Sequence, residues 1–181
     1  MAERCRLLLL SGSLRARSIN TAVLRTAAAT APASVEAVLF AGLGALPHFN
    51  PDDDGEPLHP AVAALRAQIR AADALLVSTP EYAGALPGSF KNLVDWTVGD
   101  DHAGSIYEKP VAWINASPWG ATHAHESLRR VLGYVQASVV DIAEAHIPVT
   151  PAMLGDDGLV TDPAVRDRIS GVLTRLAAAA G

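Results

Sequence analysis

Ser11, Ser13, Arg15, Ser18 and Asn20 crowd into one short stretch near the start of the chain. Hydroxyls, a guanidinium and an amide all donate hydrogen bonds, and a set of donors with no carboxylate among them suits an anion. Gly12 allows the backbone to turn sharply there and bring N–H groups close. A helix starting near Ser18 would aim its free amides and the positive end of its dipole at the same place. Charge-assisted hydrogen bonds contribute about 1.5–3 kcal/mol each, so three or four could hold a phosphate monoester tightly. The plainer reading is that Ser18 caps the helix and the rest is solvated. Both can hold, because a cap and an anion use the same orphan donors.

Spacing excludes the commoner phosphate loops. A Walker A loop needs G-x-x-x-x-G-K-[ST], and this stretch has one glycine and no lysine. The G-x-G of a dinucleotide fingerprint occurs only at Gly42-Leu43-Gly44, with proline at position 47 and no helix pattern after it. A phosphatase-type loop needs a cysteine in the anion loop, whereas Cys5 lies a strand-length upstream.

A second stretch, STPEYAGALPGSFKNLVDW (residues 78–96), has a different character. Pro80 stops a strand, Glu81 and Tyr82 follow, and Gly84 to Gly88 form a small, proline-stiffened arch. Small residues let a flat ring lie close to the backbone. Asn92 and Lys91 read as residues that tie loops together.

The elements that must position these loops alternate along the chain. Apolar runs at 5–10, 35–40, 74–79 and 111–116 read as strands, with a weaker one at 139–142. Helical patterns cover 19–31, 60–72, 88–97, 124–135 and 162–180. Strand-helix alternation with continuous apolar strands predicts a doubly wound parallel sheet with helices on both faces. One domain spans residues 1–181. In such sheets ligands sit beyond the carboxyl ends of the strands, which singles out the loops 11–18, 80–87 and 117–123.

Composition narrows the function classes. Half of the 181 residues are apolar, enough for a core, and the net charge of −5 argues against nucleic acid or an anionic membrane as partner. Residues 1–30 nevertheless hold five arginines against one glutamate, +4, leaving −9 for the rest. A single cysteine, with no membrane-length apolar run and no signal-peptide pattern, predicts a cytoplasmic protein. NPDDDG at 50–55 imitates a calcium loop, but its twelfth position is Ala61 instead of glutamate. HAHE at 123–126 places two histidines on different sides of a helix start, and no metal site is expected. No G-x-S-x-G elbow of a serine hydrolase occurs.

GSLRARSIN followed by TPEYAGALPGSFKNLVDW resembles the NADPH-dependent FMN reductase family, flavodoxin-like enzymes related to bacterial quinone, azo-dye and chromate reductases. Its signatures are a G-S-x-R-x-x-S-x-N loop after the first strand and a P-E-Y-N-x-x-x-P-G-x-x-K-N segment after the third. ASPWGATHAHESLRRVLG (residues 116–133) is similar to the family's third flavin loop. The resemblance implies a five-stranded sheet of order 2-1-3-4-5 and noncovalent FMN. It assigns Ser11, Ser13, Arg15, Ser18, Ile19 and Asn20 to the FMN phosphate end. Pro80, Glu81, Tyr82, Ala83 and Gly84 fall along the isoalloxazine, and Ser117, Trp119 and Gly120 near its other edge. Ala83 stands where the family usually has asparagine, and Trp119-Gly120-Ala121-Thr122 replaces a loop with a glycine pair.

The implied activity is an FMN-dependent NAD(P)H oxidoreductase. Hydride would pass from NADPH or NADH to bound FMN, then on to a small-molecule acceptor by a ping-pong mechanism. No side chain is needed as a catalytic acid or base, since the cofactor carries the chemistry. The alternative is a flavin-binding electron carrier or sensor without NAD(P)H turnover. The resemblance also implies a homodimer or homotetramer. Trp96 and Trp119 are compatible with an interface or with the core.

Overall fold

A computed structural model describes residues 4–181. Strand β1 (Cys5–Ser11) lies inside the sheet, between β2 (Val35–Leu39) and β3 (Ala74–Ser78). Beyond β3 comes β4 (Pro110–Asn115), and its outer edge carries two short segments, β5 (Ser138–Val139) and β6 (Ala145–His146). Every ladder is parallel, and the order is 2-1-3-4-5, that of flavodoxin-like doubly wound sheets.

The four leucines of β1 explain why its sequence does not alternate. Leu8 and Leu10 pack into the layer formed with α2 (Pro60–Arg70), α3 (Gly88–Asp95) and α4 (Thr122–Tyr134). Leu7 and Leu9 face the opposite layer, with α1 (Ile19–Ala29) and α5 (Pro163–Ala180). All four are at most 2 % exposed, and such burial stabilises by about 1.5–3 kcal/mol per side chain. A strand buried on both faces must be apolar throughout.

Most expected boundaries shift by one or two residues, and two of the differences have a clear physical reason. The first helix stops at Ala29, because Ala31 precedes Pro32 and is pushed out of the helical region. The expected fifth strand at 139–142 is broken into β5 and β6 by a short helical turn, Asp141–Ala143. Arg129 of α4 holds that turn outward by donating to Asp141 Oδ1 from Nη1 and Nη2, both at 3.0 Å, and by pairing with Glu144. The same guanidinium stacks over the Trp113 ring, 5.0 Å from its centroid.

The long connection from β2 to α2 is tied down by side chains. Arg66, almost fully buried, donates to Asp54 Oδ1 at 2.7 Å and to the Trp96 carbonyl at 2.9 Å. Asn92 accepts from the Phe49 amide (2.7 Å) and donates to the Pro47 carbonyl (2.8 Å), the tethering role its sequence suggested. Trp96 belongs to the core: its indole donates to Pro47 and meets Phe49 edge to face. Asp54 of the DDD run thus serves an ion pair.

Candidate functional site

The loops after β1, β3 and β4 meet at the carboxyl end of the sheet around a cleft of about 460 Å³. That is within the range of small-molecule sites. A larger hollow of about 880 Å³ lies at the opposite end, among residues that precede β4 and β5. Its buried acid, Asp100, is already held by Arg70 at 2.9 and 3.0 Å, and the amino ends of strands are not where doubly wound sheets bind.

One end of the cleft is a set of donors. Ser13 Oγ accepts from the Arg15 amide (3.3 Å) and Ser18 Oγ from the Thr21 amide (3.3 Å), so each hydroxyl keeps its own proton for a ligand. Ser18 is the N-cap of α1, and the next two amides, Ile19 and Asn20, are among the four that a helix leaves unpaired. Ser78 Oγ sits between Asn20 Oδ1 (2.9 Å) and the Ile114 carbonyl (2.8 Å), which fixes the Asn20 side chain at the cleft wall. Arg15 lines the cleft with no partner for its guanidinium among the described residues. Arg17 is solvent-exposed and lines an adjoining groove instead.

Ser11 is buried behind this end. Its hydroxyl is 2.7 Å from Thr21 Oγ1 and accepts from the Ser13 amide at 3.3 Å, so it shapes the loop from within. Gly12 has a different reason to be glycine than a sharp turn. A Cβ there would lie 2.1 Å from Thr79 Oγ1, so only glycine lets the first and second loops touch.

The other end is flatter. Pro80, Glu81 and Tyr82 form one wall, and Ser117, Pro118 and Trp119 another, with Val149 and Pro151 between the ends. Glu81 Oε2 accepts from the Ala124 amide at 3.1 Å, capping α4 across space. Its own N-cap position, Ala121, has no side chain able to do so. Tyr82 and Ala85 exchange two backbone hydrogen bonds (3.0 and 3.1 Å) around Ala83 and Gly84, whose φ values are 51° and 71°. Both central residues at positive φ make a type I′ turn, where asparagine and glycine are favoured. The family's asparagine therefore has a backbone reason, and Ala83 sits there under strain. Ala83, Gly84 and Gly120 are near the cleft without lining it.

The third loop is clamped by Asn115 and His146, to which no role was assigned from sequence, and by His125, considered there only as a metal ligand. Asn115 accepts from the Ser117 amide at 3.0 Å and donates to the Gly120 carbonyl. His146 is 2.8 Å from the Ser117 carbonyl, and His125 Nδ1 is 2.8 Å from that of Ala121. His125 Nε2 is buried without a partner among the described residues, and burial pushes the pKa of the ring down, which favours a neutral ring that donates from Nδ1 to the Ala121 carbonyl. The only local signal for this clamp was an asparagine at the last position of a strand, a residue that bonds the backbone two residues on. His125 reaches back one helical turn from the start of α4, whereas His146 comes from β6, which only the fold brings to the loop.

The strand order and a three-loop cleft at the carboxyl ends define a flavodoxin-like α/β protein. The chain belongs to the NADPH-dependent FMN reductase family, whose model matches residues 5–151. It is 33 % identical over 178 residues to an NAD(P)H-dependent FMN reductase of Pseudomonas aeruginosa, covering 97 % of this chain and 95 % of that one. Similarity to the quinone reductase of Escherichia coli K12 is also 33 %, over 180 residues, with 96 % and 94 % covered. Among solved structures it is similar to FerB, a flavoenzyme NAD(P)H:(acceptor) oxidoreductase from Paracoccus denitrificans. There the TM-score is 0.82 and the identity 28 %, with 96 % of each chain covered. No described helix is long and apolar enough to cross a membrane.

Proposed function

We propose that this chain is an FMN-dependent NAD(P)H oxidoreductase that alternates between NAD(P)H and a second acceptor, a quinone or free flavin, in one cleft. The observation that carries the reading is the donor set at one end of the cleft. Two hydroxyl protons, two helix-start amides, the Asn20 side chain and an unpartnered guanidinium face a space with no carboxylate at that end. That chemistry fits a phosphate monoester and fits neither a metal ion nor a cationic ligand. FMN held there would supply the ring chemistry that takes up hydride from NAD(P)H and returns two electrons to an acceptor.

The protein's part is placement. Ser13, Arg15, Ser18 and the amides of Ile19 and Asn20 hold the phosphate. Ser11 and Ser78 hold the holders. Pro80, Glu81 and Tyr82 on one side, and Ser117 with its clamped loop on the other, bound a slot for a flat ring. Glu81 is occupied with the α4 amide and moves no proton in this scheme. A cytoplasmic location and a homodimer or homotetramer are part of the same reading.

Purified protein incubated with FMN and freed of excess is expected to be yellow and to bleach when NADPH is added without oxygen. A colourless protein with no FMN uptake would overturn the reading. Retained FMN that bleaches only very slowly would point to an electron carrier instead.

A further inference from the structure

Trp119 is the largest exposed apolar side chain among the described residues of the single chain: it is 93 % exposed, while Trp96 and Trp113 are 0 % and 6 % exposed. An indole held out in this way forfeits burial that would otherwise stabilise the fold. Looseness does not explain it, because the loop that presents it is tied at both ends. The Trp119 amide donates to Ser117 Oγ at 3.1 Å, Asn115 bonds Ser117 and Gly120, and His146 and His125 hold the carbonyls of Ser117 and Ala121. The two residues after it are left-handed, Gly120 at φ 92° and Ala121 at φ 45°. For an alanine that is strained backbone, and strain kept in a firmly bonded loop accompanies function more often than accident. The indole lines the flat end of the cleft together with Tyr82, itself 45 % exposed.

We infer that Trp119 is a stacking platform for the second substrate, a residue of this chain that favours flat, electron-poor quinones over acceptors that cannot stack. The inference rests on the oxidoreductase reading and names the acceptor side of it. An indole face is electron-rich, and offset stacking favours a ring that is electron-poor. NAD(P)H enters as an uncharged dihydropyridine, already electron-rich, and gains less from such a face. A quinone enters electron-poor and leaves as hydroquinone, which has lost that complementarity, so the platform favours entry and then release. Overall, NAD(P)H supplies a hydride and solvent one proton; the quinone gains two electrons and two protons, and hydroquinone and NAD(P)+ leave. Phe or Tyr at position 119 would keep part of the platform, and alanine none.

The test compares menadione, a flat naphthoquinone, with ferricyanide, a compact octahedral acceptor that cannot stack. In W119A the ratio of kcat/KM for menadione to that for ferricyanide is expected to fall at least tenfold, and in W119F to stay within about threefold of the parent. Binding is read apart from turnover by titrating menadione into oxidised, FMN-loaded protein without NAD(P)H. Indole emission should be quenched saturably in the parent and not in W119F. An unchanged ratio in W119A, or quenching that survives the loss of Trp119, overturns the inference. A change of oligomeric state in W119A on gel filtration also overturns it, since the indole would then be covered by a second copy. Absence of FMN uptake by the parent protein is a separate observation, and it would remove the oxidoreductase reading together with this one.

Discussion

Arg15 faces the cleft with its guanidinium unpartnered among the described residues, so its removal leaves no buried group exposed. Arg15→Ala should therefore leave the fold intact and weaken FMN binding roughly 10- to 100-fold, the worth of one charge-assisted bond. Unchanged affinity in a fluorescence titration would refute the phosphate assignment. His125 makes the opposite kind of prediction, about stability. Its pKa is pushed below the ordinary value of about 6.5 by burial, with His146 adding to the shift, while the Ala121 carbonyl and Glu81 act against it. The unfolded chain then binds a proton at a pH where the folded chain does not, which favours unfolding. The contribution of neutral His125 is complete above about pH 6.5 and is lost as pH falls from there towards the folded pKa. Melting temperature followed between pH 5 and 8 should show an acid decline that is shallower in His125→Asn.

Among the elements, the turn after β3 is the place where local chemistry and backbone disagree. Alanine at φ 51° costs about 1–2 kcal/mol relative to a residue at ease there, so Ala83→Gly or Ala83→Asn should raise stability by roughly 1 kcal/mol. Ala83 does not line the cleft, so the gain should come without loss of FMN binding; a drop in affinity would mean that the turn is positioned by its strain. The start of α4 depends on a neighbour instead of its own cap. Glu81→Ala should cost about 1 kcal/mol, as loss of an N-cap does, while Glu81→Gln, which keeps the acceptor, should recover most of it. Chemical denaturation of the two variants compares them directly. The fifth strand teaches the same lesson from the other side. Ser138 to His146 has enough apolar residues for a strand, yet Arg129 reaches over from α4 and holds Asp141 and Glu144 in a turn.

At the scale of the molecule, the site is supported from outside by the 41–59 connection. A Cβ on Gly44 would lie 3.3 Å from Leu14, so this connection leans on the loop after β1, and Arg66 with Asp54 anchors it to α2. Asp54→Ala would leave the Arg66 guanidinium buried and uncompensated, a loss of about 3–5 kcal/mol and of roughly 10 °C in melting temperature. A shift under 1 °C would show that water repairs the gap. Much of this architecture was legible beforehand, because the period and length of apolar runs report burial directly. Leu7 to Leu10 announced a strand covered on both sides, and strand-helix alternation then left little choice but a parallel sheet with its loops gathered at one end. The donor residues were legible as well, since Ser13, Arg15, Ser18 and Asn20 lie on one loop and one helix turn, where spacing is geometry. Contacts between distant segments were not. Nothing local tells Gly12 that it must clear Thr79, or tells Glu81 that it will cap α4. Nor does anything local bring His146 to the third loop. Sequence alone determined the order of elements, the run of donors in the first loop and the family, because those depend on local pattern. The aim of Trp119, the hidden role of Ser11 and the broken fifth strand were decided by tertiary structure, because each depends on which surfaces the packed sheet brings within a hydrogen bond of one another.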